Sequence, residues 1–405
     1  MKNKLFKLSN PLIIIAIPLI LVLRLISPLI CIRIGKLISS RIGHLVANTE
    51  LYLCEKDAKI NTPKHQRYID IFYLGYKPIC NFYLVQMWRR KIHIFSRILL
   101  EPLHIANKII PFSFINEVPD NQQEDRDILN LLEIHSPHLI FTQEEEEEGK
   151  TILKSMGIKY GDKFVCLIVR DSAYLEQTNK NLSWQYHNYR DCDINNYKIT
   201  AEFLTKQGYF VIRMGANTNQ LFETDNPQII DYATNGMRSE FMDIYLGAKC
   251  TFCISSSLGW DSIPEIFNRP IVYTNILPIG YLRTSSKKSI NLSKHFVRII
   301  DNKELNLSEI FSDELGFLLR SEDYFKRGIK LVENSSEEIL DVVKEMIELI
   351  NNNFILNEEL ERLQKYFWKK FPVSSLEKNN HRPLHGKINA IYSSTFLKKN
   401  PNWLN

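Results

Sequence analysis

Short apolar runs alternate with helix-like patterns along most of this chain, and that alternation limits the possible folds more than any other feature. In the first part of the chain it predicts strands and helices in turn, at residues 28–34, 44–54, 68–74, 81–90, 91–95 and 97–109. This rhythm is typical of a parallel sheet with helices on its faces.

A second series begins at residues 163–170, a nearly continuous apolar run that is typical of a central strand in a parallel sheet. Further strands are predicted at residues 209–213, 228–231, 250–255 and 270–274, and helices at residues 193–207, 239–248 and 260–267. We therefore expect an α/β protein with two Rossmann-like units.

A polar stretch at residues 116–127 separates the two series and marks a domain boundary. We predict a basic and apolar segment at residues 1–27, Rossmann-like domains at residues 28–140 and 141–340, and helices at residues 341–405 that pack back on the body. Two such domains facing a cleft form the GT-B architecture, in which ligands bind at the carboxyl ends of the strands.

The composition excludes several classes of protein. With 405 residues, of which 44% are hydrophobic and 24% charged, the chain is globular rather than disordered. A net charge of +5 is too small an excess for a nucleic-acid-binding protein. The 7 cysteines of so long a chain do not indicate a disulfide framework, and Cys250 and Cys253 are interpreted as buried thiols. The histidines show no metal-like spacing, so we expect no metal and no cofactor.

The N-terminal segment joins an apolar run to positive charge. Residues 11–23 are apolar apart from two prolines, with Lys2, Lys4 and Lys7 before them and Arg24 after. The run is shorter than the ~20 residues that span a bilayer as a helix. We predict a helix that lies at a membrane surface, with its basic residues against anionic lipid. A single spanning helix and a buried core helix are the alternatives.

Charged and hydroxyl side chains stand where two predicted strands end. Arg170 and Asp171 close the strand at residues 163–170. A guanidinium there can hold a diphosphate through bidentate hydrogen bonds, and a surface ion pair is the alternative. The serines at 255–257 lie between a strand and a helix, where hydroxyl and backbone N–H groups suit an anion. Ordinary helix capping is the alternative for these serines.

Two further places offer groups for catalysis. Arg190 and Asp191 precede the predicted helix that Asp193 would cap, and we expect both to face the ligand. His44 follows the first strand, where a histidine could act as a general base near neutral pH. The alternative for His44 is a surface position at the start of a helix.

The order of these motifs resembles a family of bacterial surface-polysaccharide glycosyltransferases with the GT-B fold. The resemblance covers most of residues 35–343 and is strongest from residue 164 to residue 275. It is also similar to the donor half of the α1,6-fucosyltransferases and protein O-fucosyltransferases. The resemblance implies that residues 141–340 bind a nucleotide-sugar donor and residues 28–140 the acceptor. The donor-binding residues that it implies are Arg170, Arg190, Arg213, Ser255, Ser256, Ser257 and Asn275.

The function predicted from the sequence is metal-independent transfer of a sugar from a nucleotide sugar to a surface-polysaccharide or lipid-linked glycan. If the configuration of the sugar inverts, His44, Asp171 or Asp191 would deprotonate the acceptor hydroxyl. The predicted location is the cytoplasmic face of the inner membrane. A polysaccharide pyruvyl transferase, a nucleotide-sugar epimerase and a non-catalytic glycan-binding protein are the alternatives.

Overall fold

The computed structural model describes residues 11–119, 125–171, 185–216, 218, 220–376 and 381–404. The chain forms two compact units. The first comprises residues 1–125 and 137–140, and the second comprises residues 126–136 and 141–405. The lysines at positions 2, 4 and 7 lie outside the described residues.

The first unit is built around a parallel sheet in which strand order follows chain order, β1-β2-β3. Its elements are α1 (Pro11–Ile26), β1 (Ile30–Leu37), α2 (Ile42–Asp57), β2 (Arg67–Leu74), α3 (Phe82–Arg89), β3 (His93–Phe95) and α4 (Arg97–Ile109). The predicted alternation of strands and helices is confirmed for this unit, with bounds that differ by a few residues.

Helix α1 buries one face and exposes the other. Ile13, Ala16 and Ile20 pack into a cluster with Ile34 and Leu100, where they are at most 5% exposed. Seven large apolar side chains of the same helix are exposed: Leu12, Ile14, Ile15, Leu19, Leu21, Val22 and Leu25. The helix therefore belongs to the core of this unit on one side only. It is not the wholly buried core helix that the sequence left as an alternative.

Among the described residues, no helix combines the length and the apolar character needed to cross a membrane.

The second unit contains a parallel sheet whose described strands lie in the order β12-β9-β8-β7-β4-β5-β6. These strands are β4 (Lys163–Ile168), β5 (Tyr209–Arg213), β6 (Ile229–Ile230), β7 (Phe252–Ser255), β8 (Ile271–Ile276), β9 (Ser289–Ser293) and β12 (Ile391–Tyr392). A separate antiparallel pair is formed by β10 (His295–Arg298) and β11 (Ile329–Val332). The strands predicted from residue 163 to residue 274 are thus confirmed, while β9 and β12 extend the sheet beyond them.

Helices pack around this sheet. They are α5 (Leu131–Ile134), α6 (Gln143–Ser155), α7 (Lys198–Lys206), α8 (Glu240–Lys249), α9 (Ser262–Ile266), α10 (Leu307–Ser312), α11 (Ser321–Lys326), α12 (Ser336–Asn351), α13 (Glu358–Lys370) and α14 (Ser394–Lys399). The predicted helix at residues 260–267 is shorter than expected, because the chain first forms a 3₁₀ turn at Gly259–Asp261. Cys250 and Cys253 are both fully buried and carry free thiols.

The C-terminal segment packs against α13 through aromatic rings. The Tyr392 ring stacks on Phe367 at a centroid distance of 4.4 Å and on Trp403 at 5.3 Å. Stacked aromatic pairs stabilise a fold beyond the apolar area that they bury. The described part of the tail is therefore an integral layer of the second unit.

His295 on β10 lies between two carboxylates, 2.6 Å from Glu304 and 2.9 Å from Glu338. Burial by itself would lower the pKa of His295, but the hydrogen bonds and charges of Glu304 and Glu338 raise it to about 10. Because the pKa rises on folding, the stabilisation is complete below the unfolded value of about 6.5. It is lost as the pH increases from there to about 10.

We therefore predict that the free energy of unfolding falls between pH 6.5 and pH 10 by an amount on the order of 2 kcal/mol that depends on His295. Denaturant titrations of the wild type and His295→Gln at both ends of this range measure it. The exposed His65→Gln is the control. An equal pH dependence in wild type and His295→Gln would contradict the assignment.

Candidate functional site

The strand order of the second unit has a reversal beside β4. The chain runs from β4 to β5 and β6 on one side, and then returns to β7 on the other side of β4. The connections that leave β4 and β7 therefore diverge, which opens a crevice at the carboxyl ends of these two strands. Ligands of open α/β sheets bind at such a point.

The predicted residues at the ends of these strands are brought together there. The backbone N–H of Arg170 donates to Ser256 Oγ at 2.8 Å, and the backbone N–H of Ser256 donates to the Ile168 carbonyl at 3.1 Å. The pairing of β4 with β7 thus continues beyond the last residues of the two strands, through one backbone hydrogen bond and one hydrogen bond to a side chain. It fixes the backbone from which the Arg170 side chain starts.

A buried carboxylate holds the serine turn that follows β7. Asp261 is fully buried and accepts hydrogen bonds from Ser255 Oγ at 2.7 Å and from the Leu258 N–H at 2.8 Å. Ser255 Oγ accepts in turn from the Ser257 N–H at 3.0 Å. These bonds keep Ser257 at a φ of 60°, a left-handed conformation that costs a non-glycine residue free energy.

The same bonds change the role expected for this turn. The N–H groups of Ser256, Ser257 and Leu258 all donate within the protein, and the Ser255 hydroxyl is bonded to Asp261. Helix α9 has 5 residues, so few peptide dipoles align behind the turn. The prediction that this turn receives an anion therefore has to rest on its hydroxyl groups rather than on these N–H groups. Ser255 is a structural residue, and the turn instead supports basic side chains.

Basic side chains converge beside the turn. Arg170 Nε lies 3.1 Å from Asp191 Oδ1, and Arg190 Nη2 donates to the carbonyl of Ser257. Lys294, which is 5% exposed, donates from Nζ to the Asp191 backbone carbonyl at 2.6 Å. Arg190 ends the 3₁₀ segment Gln185–Arg190, and Asp191 is the residue after it.

Like charges lie close together in this cluster. Burial lowers the pKa of Arg190, and the positive charges of Arg170 and Arg283 lower it further. Burial also raises the pKa of Asp191, although Arg170 and Lys294 oppose that shift. Guanidinium groups that repel one another in a half-buried place are stabilised when an anion binds between them.

Two of the predicted donor-binding residues have other partners. Arg213 is 2% exposed and forms an ion pair with Asp231 at 3.0 Å. Asn275 is buried and exchanges backbone-to-side-chain hydrogen bonds of 2.7 Å with Asn334, which joins the end of β8 to the segment before α12. The Asn275 amide also donates to the Tyr197 hydroxyl at 3.1 Å. Both side chains are thus bonded within the second unit.

The remaining candidates for a general base lie in different units. Asp171 follows Arg170 directly and is half-buried at the same edge of the second sheet. His44 belongs to the first unit, near the start of α2, where its Nδ1 lies 3.4 Å from Asn48 Oδ1.

Lys294 is a residue of the cluster that the sequence reasoning missed. It directly follows β9, whose polar sequence Ser-Ile-Asn-Leu-Ser did not indicate a buried strand. A lysine at the carboxyl end of a recognised strand would have been a signal of the same kind as Arg170.

A cavity of about 400 Å³ lies elsewhere in the second unit. Its lining includes Glu337, Glu338 and Asp341 together with Lys399. Three carboxylates repel a diphosphate, so the charge of this cavity does not suit the ligand that the basic cluster suits.

No protein-family model matches the chain, and no curated protein matches it in sequence. Several solved structures share part of its backbone arrangement. The glycosyl transferase family 9 protein from Veillonella parvula has 12% identity and a TM-score of 0.44, over 79% of this chain and 98% of that chain. The ADP-heptose lps heptosyltransferase II of E. coli has 12% identity and a TM-score of 0.36, over 65% and 90%.

The S. aureus MnaA structure with UDP has 10% identity and a TM-score of 0.34, over 88% of this chain and 93% of that chain. Similarities of this size do not decide what this chain does. Its function has to be inferred from its own residues.

Proposed function

We propose that the second unit binds the diphosphate of a nucleotide sugar and that the protein transfers the sugar to a glycan acceptor. The observation that carries this proposal is the cluster of Arg170, Arg190 and Lys294 at the switch point of the sheet, with Arg190 half-buried beside the charge of Arg170. Arg170 pairs with Asp191 and Lys294 lies 4.0 Å from Glu333, so a diphosphate would add negative charge beside Arg190 above all.

The chemistry needs stabilisation of a leaving group more than covalent catalysis. When the bond between the sugar and the diphosphate breaks, negative charge increases on the phosphate oxygens. Fixed guanidinium groups stabilise that charge at little cost in reorganisation, and they can do so without a metal ion. Ser256 and Ser257 would complete the site with hydroxyl groups, because both lie beside the Arg170 and Arg190 anchors.

We assign the general base, if the reaction inverts the sugar, to Asp191 in preference to Asp171 and His44. Asp191 contacts Arg170 directly, so a group held by that guanidinium lies within reach of this carboxylate. Burial raises its pKa, and a carboxylate with a raised pKa accepts a proton more readily than an ordinary one.

The acceptor is proposed to be a polysaccharide or lipid-linked glycan at a membrane, because the first unit exposes an apolar surface. The surface consists of the exposed face of α1, Ile98 and Leu99 of α4, and Phe112 and Phe114 after it. Arg24 Nη2 donates to Asn107 Oδ1 at 2.9 Å and so fastens α1 to α4. Two helices that together expose apolar side chains suit insertion into the interface of a membrane.

Nucleotide binding tests the first part of this proposal. The 405-residue chain is heated with UDP, GDP, CMP, dTDP or phosphoenolpyruvate, and α1 is kept because it belongs to the core of the first unit. A ligand at 100 times its Kd adds about 2.7 kcal/mol of stability and raises the Tm. We expect one nucleoside diphosphate to stabilise the protein. Arg190→Met should lower the affinity for that nucleotide roughly 10- to 100-fold, because it removes charged hydrogen bonds.

The ligand-free Tm separates a binding role for Arg190 from a structural one. Removal of Arg190 relieves its repulsion with Arg170, so the Tm without ligand should stay near that of the wild type. Arg298→Met, which removes a surface ion pair with Asp301, is the control and should leave nucleotide affinity unchanged. Unchanged affinity in both Arg190→Met and Arg170→Ala would refute the diphosphate site, and stabilisation by phosphoenolpyruvate alone would favour pyruvyl transfer.

Asp191→Asn tests the base. We expect turnover to fall by about 10²- to 10⁴-fold, because the group that accepts the proton is lost. Nucleotide affinity should stay unchanged or increase, because a negative charge beside the diphosphate is removed. The rate of the wild type should also decline toward acid pH, as Asp191 becomes protonated at a pH above the usual range for aspartate. Asp171→Asn is the matched variant, and loss of turnover in that variant alone would transfer the role to Asp171.

Vesicle binding tests the membrane surface. We expect the protein to sediment with anionic vesicles, and Ile14→Glu combined with Leu25→Glu to weaken that binding at least about tenfold, because both side chains are more than 60% exposed. Phe325→Glu is the control, since Phe325 is equally exposed but lies on α11 of the second unit. Equal sedimentation of all three proteins would contradict the proposal.

A further inference from the structure

The first unit contains a cluster of metal-binding side chains that the proposed function does not use. Glu50 and Cys54 lie four residues apart on α2, so they share one face of that helix. His138 joins them from residues 137–140, the segment that returns to this unit after the chain has entered the second one. One ligand atom from each of the three residues lies within 4.8 Å of the others.

The three side chains of the cluster contact one another. His138 Nδ1 lies 2.9 Å from Glu50 Oε1, and Cys54 Sγ lies 4.0 Å from the same oxygen. Glu50 and Cys54 are buried, while the His138 side chain is 17% exposed. The site is therefore shielded by protein on the helix side and reached from the His138 side.

A second observation points to a ligand. Glu50 Oε2 is buried, and among the described residues it has no hydrogen-bond partner. The side chain that carries this oxygen is 1% exposed, so water does not replace the missing partner freely. A buried carboxylate oxygen without a donor costs free energy, and a bound cation removes that cost.

The far side of the histidine ring supports the same conclusion. His138 Nε2 lies 3.0 Å from Asp57 Oδ2, while Nδ1 faces the cluster. Histidines that bind a metal commonly donate their other ring N–H to a carboxylate, which fixes the orientation of the ring. The backbone N–H of His138 also donates to Glu50 Oε1 at 2.9 Å and holds the segment in register with α2.

We propose that Glu50, Cys54 and His138 bind one divalent ion of intermediate softness, with Zn²⁺ as the best match. A thiolate, an imidazole and a carboxylate form a ligand set that zinc accepts and that magnesium and calcium do not. Thiolate and carboxylate together carry two negative charges, so a divalent ion makes the buried site neutral. Such an ion would fasten residues 137–140 to α2 and thereby join the two parts of the first unit.

This site differs from the sequence expectation of no metal. Glu50 and His138 are 88 positions apart, so no motif with regular spacing connects them. The proposal concerns the first unit alone and is compatible with a donor site in the second unit that works without a metal.

The experiment uses the 405-residue chain purified without chelator. We expect about one zinc per chain by elemental analysis, and a fall in Tm when a strong chelator removes it. Titration with Co²⁺ should produce a thiolate-to-cobalt charge-transfer band and the visible absorption of a tetrahedral site. Cys54→Ser should abolish the charge-transfer band. Glu50→Gln should lower the affinity for zinc by more than about 100-fold. Asp57→Asn, which removes the carboxylate that orients His138, should lower the affinity for zinc about 10- to 100-fold.

Cys31→Ser is the matched control, because Cys31 is equally buried in the same unit and donates to the Ile115 carbonyl. It should retain zinc and the cobalt spectrum. The proposal is overturned if wild-type protein binds neither Zn²⁺ nor Co²⁺ at micromolar concentration, or if Cys54→Ser keeps the charge-transfer band. Because these measurements use the wild type first, a variant that fails to fold does not prevent a decision.

Discussion

The junction between β4 and β7 is the constraint on which the second unit depends. Its two sides are 86 residues apart in the chain, yet a hydrogen bond from the Arg170 N–H to Ser256 Oγ joins them. The strand order forces this meeting, because β5 and β6 lie on one side of β4 and β7 begins the other side. The Arg170 side chain starts from backbone that this junction fixes, and Arg190 reaches the turn beside it by donating to the Ser257 carbonyl.

The serine turn after β7 contains a strained backbone conformation, and hydrogen bonds within the turn offset the free energy that this strain costs. A left-handed serine at position 257 costs about 1–3 kcal/mol, and the hydrogen bonds of the buried Asp261 are what maintain it. The result is a turn whose N–H groups are occupied and whose shape cannot easily change. Charged side chains anchored to such a turn are oriented before a ligand arrives, which is the condition under which they stabilise developing charge best.

The sequence predicted those parts of the fold that depend on apolar patterning and failed where polar residues are buried. The strand at residues 163–170 was recognisable because its side chains are apolar on both faces. Strand β9 was missed because Asn291 lies in its middle, fully buried, with its amide donating to the Arg283 carbonyl at 2.8 Å. Such satisfied polar groups have no signature in hydropathy, and Lys294 was missed with the strand that positions it.

The same limit applies to the candidate site. Arg170 was located at the end of a predicted strand, and Arg190 and Asp191 were located before a predicted helix. Which groups are already bonded is a property of the folded state, so the sequence could not separate Ser255, Arg213 and Asn275 from residues able to contact a ligand. Burial alone does not separate them either, because each buried group has to be judged by the partner it has.

Partners also distinguish the arginines of this protein from one another. Arg33 is buried with Asp70 in a bidentate pair of 2.6 and 2.7 Å, and Arg213 has Asp231. Arg190 instead donates to a neutral carbonyl and lies against the charge of Arg170. Burial and the neighbouring charge of Arg170 lower the pKa of Arg190, although the charge of Asp261 partly opposes this shift. An anion bound between these guanidiniums would relieve their mutual repulsion, and this is the physical basis of the proposed diphosphate site.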